Sequence, residues 1–152
     1  MKDRFILILI IGSLLSPTLT YAEFNISHKI TVYKNPKCGC CKKWISYLKR
    51  KNYDVTTINS NNHSAYKKKF GVPARYASCH TAVIDGYVIE GHVTDRDIQR
   101  LLLLRPEGVT GITVPGMLVG TPGMEQGDRR QSYNVLSFDR QGNVKIFSRH
   151  KN

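Results

Sequence analysis

Three of the four cysteines fall within four residues, in the run NPKCGCCKKW at positions 35–44. Cys38 and Cys41 have the C-x-x-C redox spacing, and only this pair closes a relaxed disulfide, because Cα–Cα and torsion requirements strain C-x-C and vicinal pairs. A purely redox site leaves Cys40 unexplained. Three thiolates at one turn are better explained as ligands of a soft metal. A plain stabilising disulfide beside two uninvolved cysteines is the simplest alternative.

The cysteine run is predicted to lie at a strand-to-helix turn. A β-type run at residues 29–34 precedes it, and apolar residues at helical spacing follow: Cys41, Trp44, Ile45 and Leu48. The helix is expected from about Cys38 to Lys51, with Trp44 on its buried face. The free N–H groups and positive dipole end of such a helix stabilise a thiolate at Cys38 and lower its pKa.

Hydrophobic patterns and turn residues predict the remaining core elements. A strand, a short helix, a β-hairpin with an Asp-Gly turn and a further helix are expected at residues 53–58, 64–70, 81–90 and 94–105. The resulting order, βαβαββα, is the thioredoxin-type arrangement of the α/β class. In such folds the loop before the third strand packs against the C-x-x-C. That loop here is Ser78-Cys79-His80, so Cys79 is expected beside the other three cysteines.

The C-terminal third adds two features to this core. A long loop rich in glycine and proline is predicted at residues 107–128, with a near repeat that places Met117 and Met124 after Pro-Gly. Ordered loops of this length are commonly functional. The two thioethers are either soft ligands able to bind or cap Cu(I), or hydrophobic plugs that anchor the loop. A second β-hairpin is predicted at residues 133–138 and 143–147.

The first 22 residues have the pattern of a secretory signal peptide. Lys2 and Arg4 form a basic region, residues 5–15 are apolar, and Thr20-Tyr21-Ala22 fits a small-x-small cleavage site. The apolar run is too short for a comfortable transmembrane anchor, and no later segment is apolar enough to span a membrane. We therefore expect one mature domain, residues 23–152, without stable membrane insertion after cleavage.

The charge and motif content argues against several functions. The formal net charge is +12, which raises the question of nucleic acid. The positive residues are scattered in short runs that fit solvated helix faces, and no nucleic-acid motif accompanies them. Glu90 and Glu125 lack a paired carboxylate at a useful spacing, and no phosphate-binding loop or serine nucleophile motif is present, so hydrolysis has no support.

The motifs together resemble one family, the CopG-type copper-resistance proteins, which are exported, thioredoxin-like, metal-binding proteins. The matching segments are CGCCKKW at 38–44, SCHTA at 78–82, GYVIEGHV at 86–93, and VPGM and TPGME at 114–117 and 121–125. The resemblance implies a periplasmic protein that binds copper in copper tolerance, with redox chemistry at the cysteines as a further feature. It implies the ligands Cys38, Cys40, Cys41 and Cys79, with His80, Met117 and Met124 as neighbours.

Ligand chemistry separates the candidate metals. Four thiolates select Cu(I), zinc or an iron–sulfur cluster. Zinc prefers a closed tetrahedron, whereas three ligands crowded at one turn suit the low coordination numbers and bridging thiolates of Cu(I), with room for more than one copper. The spacing is wrong for an iron–sulfur cluster. Copper ions, and other periplasmic copper-handling proteins, are therefore the expected partners.

An alternative function is that of a thiol–disulfide oxidoreductase. Cys38 would attack as the thiolate and Cys41 would resolve the mixed disulfide. Cys40 discriminates between the two functions, because only metal binding needs it.

The histidines differ in their expected roles. His80 adjoins Cys79 and is either a ligand or a hydrogen-bond partner of a thiolate. His92 is expected at the surface, at the end of a strand, and the alternative is a position beside Glu90 in contact with a metal ligand. His28, His63 and His150 are expected to be exposed.

Overall fold

A seven-stranded mixed sheet forms the centre of the chain, in a computed structural model that describes residues 27–151. The predicted signal peptide lies outside the described residues. The strands are β1 (Lys29–Lys34), β2 (Asp54–Asn59), β3 (His80–Ile84), β4 (Tyr87–Glu90), β5 (Gly111–Thr113), β6 (Tyr133–Phe138) and β7 (Val144–His150), in the spatial order β2-β1-β3-β4-β5-β6-β7. The helices are α1 (Gly39–Arg50), α2 (His63–Lys69) and α3 (Asp95–Leu104), with a 3₁₀ turn at Ala74–Tyr76. The predicted α/β class is confirmed.

The strands around β1 decide where the cysteines meet. β1 pairs in parallel with β2, as expected for a β-α-β unit, and antiparallel with β3, with Lys34 opposite His80. The chain enters β3 next to the point where it leaves β1 for α1. The predicted hairpin between β3 and β4 is confirmed, and both turn residues, Asp85 and Gly86, have positive φ angles of 47° and 83°.

One strand lies inside the segment predicted as an uninterrupted loop. Residues 111–113 form β5, which is fully buried and pairs in parallel with β4. Three residues are too few to show the period-two alternation that identifies a strand in a sequence. β5 also pairs antiparallel with β6, so the confirmed C-terminal hairpin β6–β7 continues the same sheet.

The apolar face of α1 packs onto the core, as its spacing predicts. Cys41, Trp44, Ile45 and Leu48 are its buried residues. The indole N–H of Trp44 donates to the carbonyl of Val93 at 2.9 Å, which satisfies the one polar atom of this side chain. Between residues 27 and 151, no helix combines the length and apolar character needed to cross a bilayer.

Candidate metal centre

The turn before α1 is built by Asn35 and Cys38. The Asn35 side-chain oxygen accepts from the backbone N–H of Lys37 at 2.8 Å, and its carbonyl accepts from the N–H of Cys38 at 3.1 Å. Cys38 is the N-cap of α1, and its sulfur accepts from the N–H of Cys41 at 3.3 Å. The predicted position of Cys38 at the helix N-terminus is confirmed, and all three neighbouring cysteines lie at this turn.

The cysteine site contains one disulfide and two free thiols, rather than four free thiolates. Cys38 and Cys41 form a disulfide, with a Cα–Cα distance of 5.4 Å, in the usual range for such bonds. Cys40 and Cys79 carry free thiols. The Cys40 sulfur lies 3.5 Å from that of Cys38 and 3.9 Å from that of Cys79. The four sulfurs lie within 4.8 Å of one another, so the fold brings together the four predicted residues.

His92 lies in this cluster, and the prediction of a surface position for it is wrong. Its side chain is fully buried, with Nε2 3.1 Å from the Cys79 sulfur and Nδ1 2.7 Å from the carbonyl oxygen of Pro122. The preceding residue, Gly91, has a φ of +75°, and a Cβ there would meet Ser78 and the Val114 carbonyl at 2.6 Å. Glycine at this position lets the chain turn tightly after β4 and direct His92 inward.

His80 completes a second group of ligand atoms with Cys79 and His92. Its Nδ1 lies 3.3 Å from the Cys79 sulfur, and its ring contacts the rings of Trp44 and His92 at centroid distances of 4.4 and 5.0 Å. Its Nε2 is buried and has no hydrogen-bond partner among the described residues. A buried, unpaired ring nitrogen is costly, which is consistent with a residue kept for ligand chemistry.

Burial keeps the side chains of Cys79, His80 and His92 uncharged. Burial, followed by the neighbouring Cys40, raises the pKa of Cys79 to about 12. Burial also lowers the pKa of His92, and it lowers the pKa of His80 well below its ordinary value, with a further contribution from His92. The histidines are therefore unprotonated at neutral pH, which is the form that binds metals.

A buried ion pair fixes the loop that carries Cys79. Glu90 is completely buried, and its carboxylate accepts from Lys67 Nζ, from the backbone N–H of Ser78 and from the Thr81 hydroxyl, each at 2.6 Å. Ser78 and Thr81 flank Cys79 and His80. Glu90 thus acts as a positioning residue for the site, although sequence inspection finds only an isolated acid in a strand.

The Gly/Pro-rich loop reaches the site at residues 121–124. Gly123 approaches α1 so closely that a Cβ at this position would lie 2.8 Å from the backbone nitrogen of Trp44 and 2.9 Å from the carbonyl oxygen of Cys40. Met124 is half-buried and lines a cleft together with Cys40. Met117, in contrast, is 59% exposed. The two predicted methionines therefore lie in different environments, and Met124 is the one beside a cysteine.

The other histidines are less exposed than expected. The side chain of His150 is 28% exposed; its Nε2 lies 2.8 Å from Asp97, and its ring stacks on Tyr133 at 4.5 Å. The side chain of His28 is 23% exposed and lies 3.9 Å from Asp85. His63 is partly buried, and its Nδ1 has no partner among the described residues.

Comparison with known proteins places this geometry in a family. Two solved structures, "Copper resistance protein copG- Form 2" and "Copper resistance protein copG- Form 1", are each 40% identical in sequence, with TM-scores of 0.78. The matches cover 83% and 84% of this chain and 100% of each of those chains. The chain belongs to the CopG family of copper resistance proteins.

The CopG assignment agrees with a family model described as "Protein of unknown function, DUF411", which matches residues 76–124. This range contains Cys79, His80, His92 and the loop up to Met124, but not the cysteines of α1. No curated protein matches the chain. The CopG resemblance expected from the sequence motifs is confirmed.

Proposed function

We propose that this chain is an exported, periplasmic copper-binding protein of copper tolerance, which holds Cu(I) between Cys38, Cys40, Cys41 and Cys79. The observation that carries the proposal is the convergence of the four sulfurs within 4.8 Å from two separate parts of the chain. The CopG structures, at 40% identity over their full length, support copper as the metal.

The residues fit a soft metal on chemical grounds. The donor set consists of sulfur atoms and unprotonated imidazoles, and it includes a buried ring nitrogen of His80 with which no residue in the described part of the chain forms a hydrogen bond. Among residues 27–151, the only carboxylate hydrogen-bonded to the Cys79 loop is that of Glu90, which already accepts from Lys67, Ser78 and Thr81. Thiolate and imidazole suit copper and zinc, and crowded thiolates favour Cu(I). Once the disulfide is reduced, four thiolates this close together would be able to hold more than one copper per chain.

The redox state of the disulfide determines how many thiolates are available. With Cys38 and Cys41 joined, two of the four sulfurs are withdrawn from metal binding. Their release takes two electrons and two protons from a thiol reductant. Reduced protein is therefore the form that offers the complete four-cysteine site.

Compartment and fold complete the proposal. The signal-peptide pattern of residues 1–22 supports export to the periplasm. The order of elements up to α3, with a C-x-x-C at the start of α1, supports a thioredoxin-like core. Other periplasmic copper-handling proteins are then the natural donors and acceptors of its metal.

The disulfide itself favours a second candidate, a thiol–disulfide oxidoreductase. In the reduced form, the Cys38 thiolate would attack a substrate disulfide and displace one substrate thiolate. Cys41 would then attack the Cys38 sulfur, closing the disulfide and releasing the second substrate thiolate. This chemistry uses neither Cys40 nor Cys79.

A Cu(I) competition titration of the reduced chain separates the two functions. We expect Cys40→Ser and Cys79→Ser each to weaken Cu(I) binding about 100-fold, a loss of about 2.7 kcal/mol. Met117→Leu, a control at an exposed sulfur, should retain wild-type affinity. Copper binding that is unaffected by Cys40→Ser, together with reduction of insulin disulfides that depends on Cys38, would replace the proposal by the oxidoreductase.

A further inference from the structure

A basic groove opens onto the cysteine site. One cavity, of about 270 Å³, is lined in part by Cys40, Lys43, Met124 and Glu125. A second, of about 470 Å³, is lined by Lys42, Lys43, Ser46, Arg50 and Glu125. Because the two share Lys43 and Glu125, they adjoin, and we call them together the Cys40 groove.

The Cys40 groove follows one face of α1. Residues 40, 43, 46 and 50 recur at intervals of three or four, which is the spacing of a single helix face. From Cys40 to Arg50 the helix rises about 15 Å. An extended peptide covers that length with about four or five residues. The shape thus suits a segment of another protein better than a small ion.

The charge of the groove selects the kind of segment. Lys42, Lys43 and Arg50 are exposed, and none of them belongs to an ion pair found among residues 27–151. Glu125 is the only acid in the lining, and its carboxylate accepts from the N–H of Gly123 at 2.9 Å. The groove therefore has an excess of positive charge and attracts carboxylates.

The site end of the groove presents soft ligands. Cys40 is a free, partly exposed thiol, and Met124 is a half-buried thioether in the same cavity. These two sulfurs line the groove itself, whereas Cys79, which is partly buried, and the fully buried His92 are not among its lining residues. Basic residues for a partner's chain and sulfur ligands for its metal thus share one surface.

We propose that the Cys40 groove is the docking surface for an acidic segment of a copper-donating protein, which transfers Cu(I) to Cys40. The inference rests on the proposed function. The transfer is a ligand exchange without change of oxidation state. A bond from copper to a donor ligand breaks as the bond to the Cys40 sulfur forms, and the thiol proton passes to solvent.

The test compares transfer rates from two synthetic peptides that carry the same methionine-rich Cu(I) motif. One is flanked by aspartates and the other by lysines. Stopped-flow transfer to the reduced full chain should be about tenfold faster from the aspartate peptide at low ionic strength, with the difference shrinking as salt is added. In the double variant Lys42→Glu/Lys43→Glu the order of the two peptides should reverse.

A matched double variant controls for net charge. Arg140→Glu/Lys145→Glu changes the charge equally at two exposed residues of the β6–β7 hairpin, and it should preserve the preference for the aspartate peptide. Equal rates from both peptides, or a reversal in the control as well, would overturn the docking surface while leaving the proposed function intact. Failure of the wild-type chain to bind Cu(I) at equilibrium would overturn both.

Discussion

The two halves of the site hold their cysteines by different kinds of contact, which are local in sequence in one half and mainly long-range in the other. The helix half holds Cys38, Cys40 and Cys41 within the first turn of α1, through hydrogen bonds between residues that are at most three apart. The strand half holds Cys79 through partners spread along the chain. They are His92, the Pro122 carbonyl that orients it, and the buried Glu90 that fixes the adjoining backbone.

This contrast shows how one site combines redox freedom with rigid placement. The helix half can open or close a disulfide locally, because its conformation is set by a helix terminus. The strand half also has one contact between sequence neighbours, His80 and Cys79, but its geometry depends mainly on long-range hydrogen bonds of buried polar groups. Changes to the strand half should therefore affect the stability of the whole fold.

Removal of Glu90 should produce the largest effect and tests this dependence directly. Glu90→Ala removes the counter-ion of Lys67, whose side chain is 12% exposed, and leaves it the Thr81 hydroxyl as an uncharged acceptor. Loss of one member of a buried ion pair costs about 3–5 kcal/mol, which urea unfolding followed by circular dichroism will measure. Glu107→Ala, at an exposed acid, should change the free energy of unfolding by less than about 0.5 kcal/mol.

The double variant Lys67→Met/Glu90→Leu sharpens this prediction. It removes both charges, so it should be more stable than Glu90→Ala alone. A loss for Glu90→Ala no larger than that for Glu107→Ala would contradict the view that this ion pair supports the strand half.

Substitutions in the Gly/Pro-rich loop, which contacts both halves, should have the next largest effect on the free energy of unfolding. Gly123 has a φ of +86°, and the Cβ of Gly123→Ala would press against the backbone nitrogen of Trp44 and the carbonyl oxygen of Cys40. Gly116 has a similar φ of +72°, but the Cβ of Gly116→Ala would meet nothing within 4 Å. Both variants carry the positive-φ penalty of about 1–2 kcal/mol. Only Gly123→Ala should lose about 1–3 kcal/mol more through overpacking. Equal losses in urea unfolding would show that the loop does not pack tightly on α1.

A pH titration of stability should show a smaller effect that belongs to the strand half. Burial lowers the pKa of His80 and of His92, so the folded chain favours neutral rings. Between those lowered values and the unfolded value of about 6.5, the unfolded chain binds more protons and stability rises with pH. The contribution is complete above about pH 6.5 and is lost on acidification, with a slope that approaches about 1.4 kcal/mol per pH unit for each histidine.

The variant His92→Asn tests whether His92 contributes to this pH dependence of stability. Unfolding free energies of His92→Asn should vary less with pH below about 6.5 than those of wild type, while Met117→Leu should follow the wild-type curve. The Cys38–Cys41 pair does not titrate while it is a disulfide, so these two residues add nothing to this slope. An unchanged slope in His92→Asn would remove this histidine from the explanation.

The helix half could be predicted from the sequence because its contacts are local. The C-x-x-C spacing, the N-cap position of Cys38 and the buried face of α1 all follow from residues within one or two turns. The position of Cys79 beside the other cysteines could also be predicted, since the order of strands brings the start of β3 to the end of β1.

The rest of the strand half could not be predicted in this way. His92 is buried because Gly91 turns the chain inward and Pro122, thirty residues later, supplies a carbonyl. The Glu90 network likewise joins a helix, a loop and two strands. The Gly-His pair directly after a predicted strand was the one local signal, because glycine permits a positive φ that can reverse a side chain's direction.

The X-ray absorption spectrum, at the copper edge, of the reduced chain loaded with Cu(I) tests most directly whether the two halves share one copper site. A copper site built from both halves should give a first coordination shell dominated by sulfur, with fewer sulfur neighbours in Cys40→Ser and also in Cys79→Ser. A shell of nitrogen and oxygen alone, or a Cys79→Ser spectrum identical to that of wild type, would contradict a copper site shared between the two halves.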